Sequence, residues 1–163
     1  MVSRRQDPVS DLLRSTLRLR QKATLAKERW QRILAAATAI TPRYTTMPGA
    51  QKVDQRKDAL WLAEAQAADE MKAADQAYWE AEAKVHALLS KLHDPAHAAL
   101  LQYRYVYGLK WPEVLERLEQ KGLYYSERHM YNLHGDALQE ARRIYKEQEA
   151  QVDEDSDRTN TDQ

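Results

Sequence analysis

Small and apolar residues recur in alternating steps of three and four from Val9 through Leu12, Thr16, Leu19, Ala23, Ala26, Trp30, Ile33 and Ala37 to Ile40. That spacing keeps one seam on one side of a helix, and a heptad pattern sustained this far predicts a long helix that stops near Ile40. A second series, Leu60, Ala67, Met71, Ala74, Tyr78, Ala81, Val85, Leu88 and Leu92, has the same period. It is interrupted in register by Glu64 and, before Leu60, by Lys57, and it predicts a second helix beginning near Ala50. Between them TPRYTTMPGA holds two prolines and a glycine, which end one helix before the next begins. Helices joined in this way fold back as an antiparallel pair, so residues 1–92 are expected to form a helical hairpin with its loop at about 41–50. The seam is rich in alanine and therefore thin. Such a hairpin is expected to form a homodimer or higher oligomer through these helices, and Trp30 and Trp61 are the large residues available for that contact.

From His93 the heptad breaks, and residues 93–150 read as three shorter helices. Asp94 followed by Pro95 is an N-cap and first-turn pair, Gly108 is a stop, and YRYVY is continuous with the helical AALLQ before it. Trp111 and Pro112 open a second helix whose Val114, Leu115 and Leu118 share a face, and Gly122 ends it. Ser126 caps a third. There Met130, Leu133, Ala137 and Leu138 form one apolar stripe, while Glu127, Arg128, His129, Tyr131, Asn132 and His134 supply polar tips to the rest of the first turns. Val114, Leu118, Met130, Leu133 and Leu138 are the expected core of this small domain. A helix that buries one stripe and presents hydrogen-bonding groups from its N-terminal half is suited to the major groove of duplex DNA. Arg128 can bond guanine O6 and N7, Asn132 can bond adenine N6 and N7, and Tyr131 or Ser126 can bond phosphate.

Charge changes this picture through its placement. The 163-residue chain carries 25 basic and 25 acidic side chains, but residues 1–57 are basic, 58–92 acidic, 93–150 slightly acidic and 151–163 strongly acidic. Arg20, Lys22, Lys27 and Arg29 flank the first seam, and Glu70, Asp75 and Glu82 flank the second, so the two helices complement one another. Arg14, Arg18, Lys22, Arg29 and Arg32 are read as a solvated face rather than a nucleic-acid grip. The acidic, apolar-poor end at 151–163 is expected to be disordered. Cysteine is absent, which removes thiolate metal sites and cysteine nucleophiles. With four glycines in the chain, no phosphate-binding loop is visible, and there is no Ser-His-Asp pattern. Neither an enzyme activity nor a cofactor is expected. His93 and His97 have a metal-ligand spacing, but they are read as surface polar residues near the Asp94 cap. Tyr103 and Tyr107 are expected to take the place of the missing Phe in the core, leaving Tyr131 exposed. No stretch is apolar enough for a membrane span, and the reading is a soluble cytoplasmic protein.

The run ALLQYRYVYGLKWPEVLERL followed by YYSERHMYNLHGDALQEA resembles the fourth region of bacterial sigma factors, a helix-turn-helix that reads promoter DNA. It is closer still to a family of phage and prophage proteins related to late-transcription regulators of the ArpU and RinA kind. Their stretch like ATAITPRYTTMP and their ending like LHGDAL stand here in the same order, so the resemblance covers about residues 35–145. It implies an all-α chain whose helical hairpin precedes a helix-turn-helix. It also implies a DNA-binding transcriptional regulator with double-stranded DNA and RNA polymerase as partners in a bacterial host cell. EQKGLYY makes the turn before Ser126 longer than is usual for a sigma-type domain, and the slightly acidic balance of 93–150 implies low intrinsic affinity. Dimerisation, or DNA already held by polymerase, would then supply effective concentration. Two other functions fit the same residues: a DNA-packaging adaptor like a small terminase subunit, and a protein-only module that binds polymerase or a host factor.

Overall fold

The computed structural model describes residues 7–39 and 50–159. The chain is all-α, with α1 at Pro8–Thr38, α2 at Ala50–Leu89, α3 at Pro95–Leu101, a π-helical turn at Gln102–Val106, α4 at Trp111–Gln120 and α5 at Glu127–Thr159. The loop expected at about 41–50, and Ile40 before it, lie outside the described residues except for Ala50, where α2 begins.

The chain divides into two compact units, one formed by residues up to Leu17 together with Glu80 onward, the other by Arg18–Trp79. The expected boundary at residue 92 is therefore displaced: both hairpin helices pass from one unit into the other. Side-chain size explains where. Between Arg18 and Trp79 the seam is largely alanine, and Ala23, Ala37, Ala67 and Ala74 are its buried positions. Outside that stretch it carries Val9, Leu13, Val85, Leu88 and Leu89, all buried in one core with residues of α3, α4 and α5. Leu13 is fully buried although it lies off the heptad series, because a core with more than two helices needs a wider apolar face than a two-helix seam.

Within the Arg18–Trp79 unit, Arg29 Nη1 meets Glu70 Oε2 at 2.7 Å and Trp30 Nε1 donates to Glu64 Oε1 at 2.8 Å. These bonds fix the antiparallel pairing and explain the interruption at Glu64: the carboxylate in the seam accepts the indole N–H. Trp30 is consequently half-buried inside the hairpin and not on an outer contact face, contrary to the expectation. The exposed Arg29–Glu70 pair contributes at most about 1 kcal/mol. Its value lies in register.

In the other unit, Asp7 ties the start of α1 to α5. Its Oδ1 accepts from the Val9 N–H at 3.3 Å and its Oδ2 from Arg142 Nη2 at 2.6 Å. Burial alone would raise the Asp7 carboxyl; the bonds from Arg142 and Ser10 and the Arg142 charge outweigh it and hold the pKa below the ordinary value.

The short helices start and stop where their residues dictate. Asp94 Oδ1 accepts from the Ala96 N–H at 2.8 Å, with Pro95 in the first helical position. YRYVY is helical, as expected, but wound one residue wider, the Tyr107 N–H reaching the Gln102 carbonyl at 3.0 Å; the Leu109 N–H then closes the helix end on the Tyr103 carbonyl at 3.1 Å. Gly108 then takes φ 69° and Gly122, after α4, φ 80°, a left-handed backbone that a Cβ disfavours. Glu113 closes α4 by accepting from the Lys110 N–H at 2.7 Å. The acidic end differs from the expected disorder: α5 is continuous to Thr159, and residues 160–163 lie outside the described residues. No Gly or Pro follows Gly135, so no breaker ends the helix before Thr159.

Candidate nucleic-acid interface

Helix α5 begins on its cap. Ser126 Oγ accepts from the His129 N–H at 3.2 Å, and from there the two faces of the helix separate. Met130, Leu133, Ala137, Ala141 and Ile144 are buried and Leu138 is half-buried against the same core. Val114 and Leu118 of α4 are fully buried beside them. Of the five expected core residues, only Leu138 keeps part of its surface in water. Ser126, Glu127, Arg128, His129, Tyr131 and Asn132 are all exposed, as the polar pattern predicts.

His134 departs from that pattern. It turns inward, edge-on to Trp111 with ring centres 4.9 Å apart, and its Nε2 lies 3.1 Å from the Tyr105 hydroxyl. Burial lowers the His134 pKa below 6.5, helped by the charges of Arg104, Arg14 and Arg142. Burial likewise raises Tyr105, against the opposing pull of Arg104 and Arg14. Both shifts disfavour the charged forms of this hydrogen-bonded pair. His134 braces the helix and is absent from its outer face.

Trp111, at the start of α4, is the hub of this bracing. Tyr131 meets it edge-on at 5.3 Å, and the Arg104 guanidinium lies 4.9 Å from its ring centre. Arg104 in turn donates to the Leu109 carbonyl at 2.8 Å. The π-helical turn thus presents Arg104 and Tyr105 to the junction of α4 and α5, and the first turns of α5 are held by aromatic contacts as well as by the apolar stripe. Tyr131 keeps 44% of its surface exposed and can still reach a ligand. Tyr103 packs against the core, but Tyr107 is stacked on it at 5.8 Å and stays 47% exposed, so only one of these two tyrosines stands in for the missing phenylalanine.

A second set of contacts holds the middle of α5 to the start of α3. Glu140 accepts from the His93 backbone N–H at 2.6 Å and pairs with His97 Nδ1 at 2.6 Å, while His97 Nε2 stands 3.7 Å from Asp94. His93 is a surface residue as expected, with its ring Nδ1 3.3 Å from Glu140 Oε1; His97 is not. His97 is largely buried because Glu140, forty-three residues away in sequence, supplies its partner. Among the described residues no group of His, Cys, Asp and Glu is disposed to hold a metal ion.

Three further cations belong to the outer surface of α5. Taken from Arg128, helical steps of four, seven, eleven, fifteen and eighteen lead to Asn132, Gly135, Gln139, Arg143 and Lys146, all exposed, and Arg142 borders the line. The same 3.6-residue period that revealed the buried stripe could have identified Arg143 and Lys146. On α1, Arg14, Arg18, Lys22, Arg29 and Arg32 are exposed, and Arg29 is taken by Glu70. No described helix is long and apolar enough to cross a membrane. No family model, curated protein or solved structure matches the chain.

Proposed function

We propose that this protein is a phage-type DNA-binding transcriptional regulator that reads duplex DNA with the first turns of α5. One observation carries the reading: Ser126, Glu127, Arg128, His129, Tyr131 and Asn132 are all in water on a helix whose opposite side is locked into the core. A rigid helix with solvated polar tips fits the major groove, where Arg and Asn find bidentate partners on guanine and adenine. Arg143 and Lys146, further along the same line, supply charge for the phosphates.

Fluorescence anisotropy on random-sequence duplex DNA across a salt series tests it. Log K is expected to fall with log salt by about 0.9 per phosphate neutralised, and Arg128→Ala to reduce either that slope by about one contact or, on a selected site, the affinity by roughly 1–3 kcal/mol. Asn132→Ala should relax preference at one base pair. Binding that neither substitution alters would defeat the mechanism, and no binding even at low salt would favour a module that engages only proteins, such as RNA polymerase.

The regulator acts as a homodimer in this reading. Trp61 is 41% and Trp79 60% exposed, and the two are five turns apart on one face of α2, about 27 Å at 1.5 Å per residue. Ala65 and Ala68 lie between them on that face. Two copies crossed antiparallel set the Trp61 of one against the Trp79 of the other, an isologous contact with the Ala68 of each copy facing the Lys72 of the other. Sedimentation equilibrium should return a dimer that Trp61→Ala with Trp79→Ala converts to monomer. A wild-type monomer at tens of micromolar would remove this part of the proposal.

A further inference from the structure

Gly135 sits in the third turn of α5, in the middle of the exposed line that runs from Arg128 and Asn132 to Gln139 and Arg143. Nothing among the described residues requires a glycine there. Its backbone is ordinary helix, since only Gly108 and Gly122 take positive φ among the described glycines. A Cβ built on it meets no atom within 4 Å, so no neighbouring element packs against it. A glycine at a solvated interior position of a helix lowers stability relative to alanine, and this one interrupts a helix that is otherwise free of breakers as far as Thr159.

The structure assigns Gly135, we infer, to close approach: it is the point on α5 where the DNA sugar-phosphate backbone comes against the helix backbone, with the missing side chain leaving the room. The inference rests on the proposed function and sharpens it, because it fixes which turn of α5 lies nearest the duplex. Charge selects the occupant. Arg128 lies two turns before the glycine, and Arg143 and Lys146 two to three turns after it. Among the described residues none of these three is ion-paired. A polyanion that touches the helix at Gly135 places cations on both sides of the contact. A methyl group at 135 would hold the two backbones apart and lengthen every bond made from that face.

Gly135→Ala should therefore move two readouts in opposite senses. Thermal unfolding of the full chain should shift upward, by roughly 2–4 °C for a protein of this size. Affinity for a fluorescein-labelled random-sequence duplex at low salt should fall by about tenfold, the equivalent of about 1.4 kcal/mol. Asp136→Ala, off the line, serves as the control for a general effect of surface alanine on α5 and should not weaken binding. Higher stability with unchanged affinity would overturn the inference while leaving the proposed function intact, provided Arg128→Ala still weakens binding. Lower stability would overturn it too, since the glycine would then serve the fold. If neither Gly135→Ala nor Arg128→Ala affects binding, the reading of α5 as the DNA-contacting helix fails along with it.

Discussion

Glu140→Ala is expected to cost about 3 kcal/mol of unfolding free energy, at the low end of the loss incurred when one partner of a buried ion pair is removed. The side chain is 10% exposed and satisfies both His97 and the His93 N–H, so its loss orphans two groups at the joint of α3 and α5. The same contact gives a pH signature. Burial alone would raise the Glu140 pKa, but the bonds from His97 and from the His93 N–H, with the charge of His97, hold it below 4.5. A carboxyl depressed in the folded state stabilises above its unfolded value, and that stabilisation is lost as pH falls through the folded one. Urea unfolding as a function of pH should therefore show the difference between the wild type and Glu140→Gln shrinking as the solution is made more acidic than about pH 4.5. A difference that did not change with pH would mean that the contact is made by shape alone. Asp7, depressed in the same way by Arg142 and Ser10, is unaffected by this substitution, so the variant should retain part of the acid sensitivity.

Leu118→Ala should lower stability by about 2–5 kcal/mol. Leu118 is fully buried in the core that also holds Met130 and Leu133, so truncation removes transfer free energy and leaves a cavity behind α5. Chemical denaturation gives the size of the loss. DNA affinity measured well below the unfolding transition should change far less than in Arg128→Ala, because Leu118 touches no ligand in the proposed mechanism. A large loss of affinity in a protein that is still folded would show that the orientation of α5 depends on this packing.

The hairpin, the three short helices and the outward set from Ser126 to Asn132 are legible in the sequence because each follows from spacing along one helix. Partnerships across helices are not. Glu64 reads as a defect in a heptad, and only its bond to Trp30 makes it part of the seam. His97 reads as a surface residue until Glu140 stands opposite. His134 reads as an outer residue by its polarity, although it stands one turn beyond buried Met130; it faces inward because Trp111 and Tyr105 offer it an aromatic edge and a hydroxyl. The boundary between the units is also hidden, since the period is the same on both sides of Leu17 and Glu80 and only the change from alanine to valine and leucine marks it. The Gln102–Val106 turn reads as a helix, but its wider winding shows only in the bond from the Tyr107 N–H to the Gln102 carbonyl.

The unit that contains α5 is assembled from two separated pieces of chain, one ending at Leu17 and the other starting at Glu80. Its core therefore closes over an insertion of more than sixty residues. For a flexible insertion the entropy of closure grows with the logarithm of its length, and contacts such as Val9 and Leu13 with Val85 and Leu88 form late for that reason. An antiparallel helical pair is itself a stretch of local structure that brings its own two ends together. Once Arg29 has found Glu70 and Trp30 has found Glu64, the long insertion behaves as a short one. The thin alanine seam is then a folding clamp, local in itself, whose closure brings together the two pieces of chain that support α5.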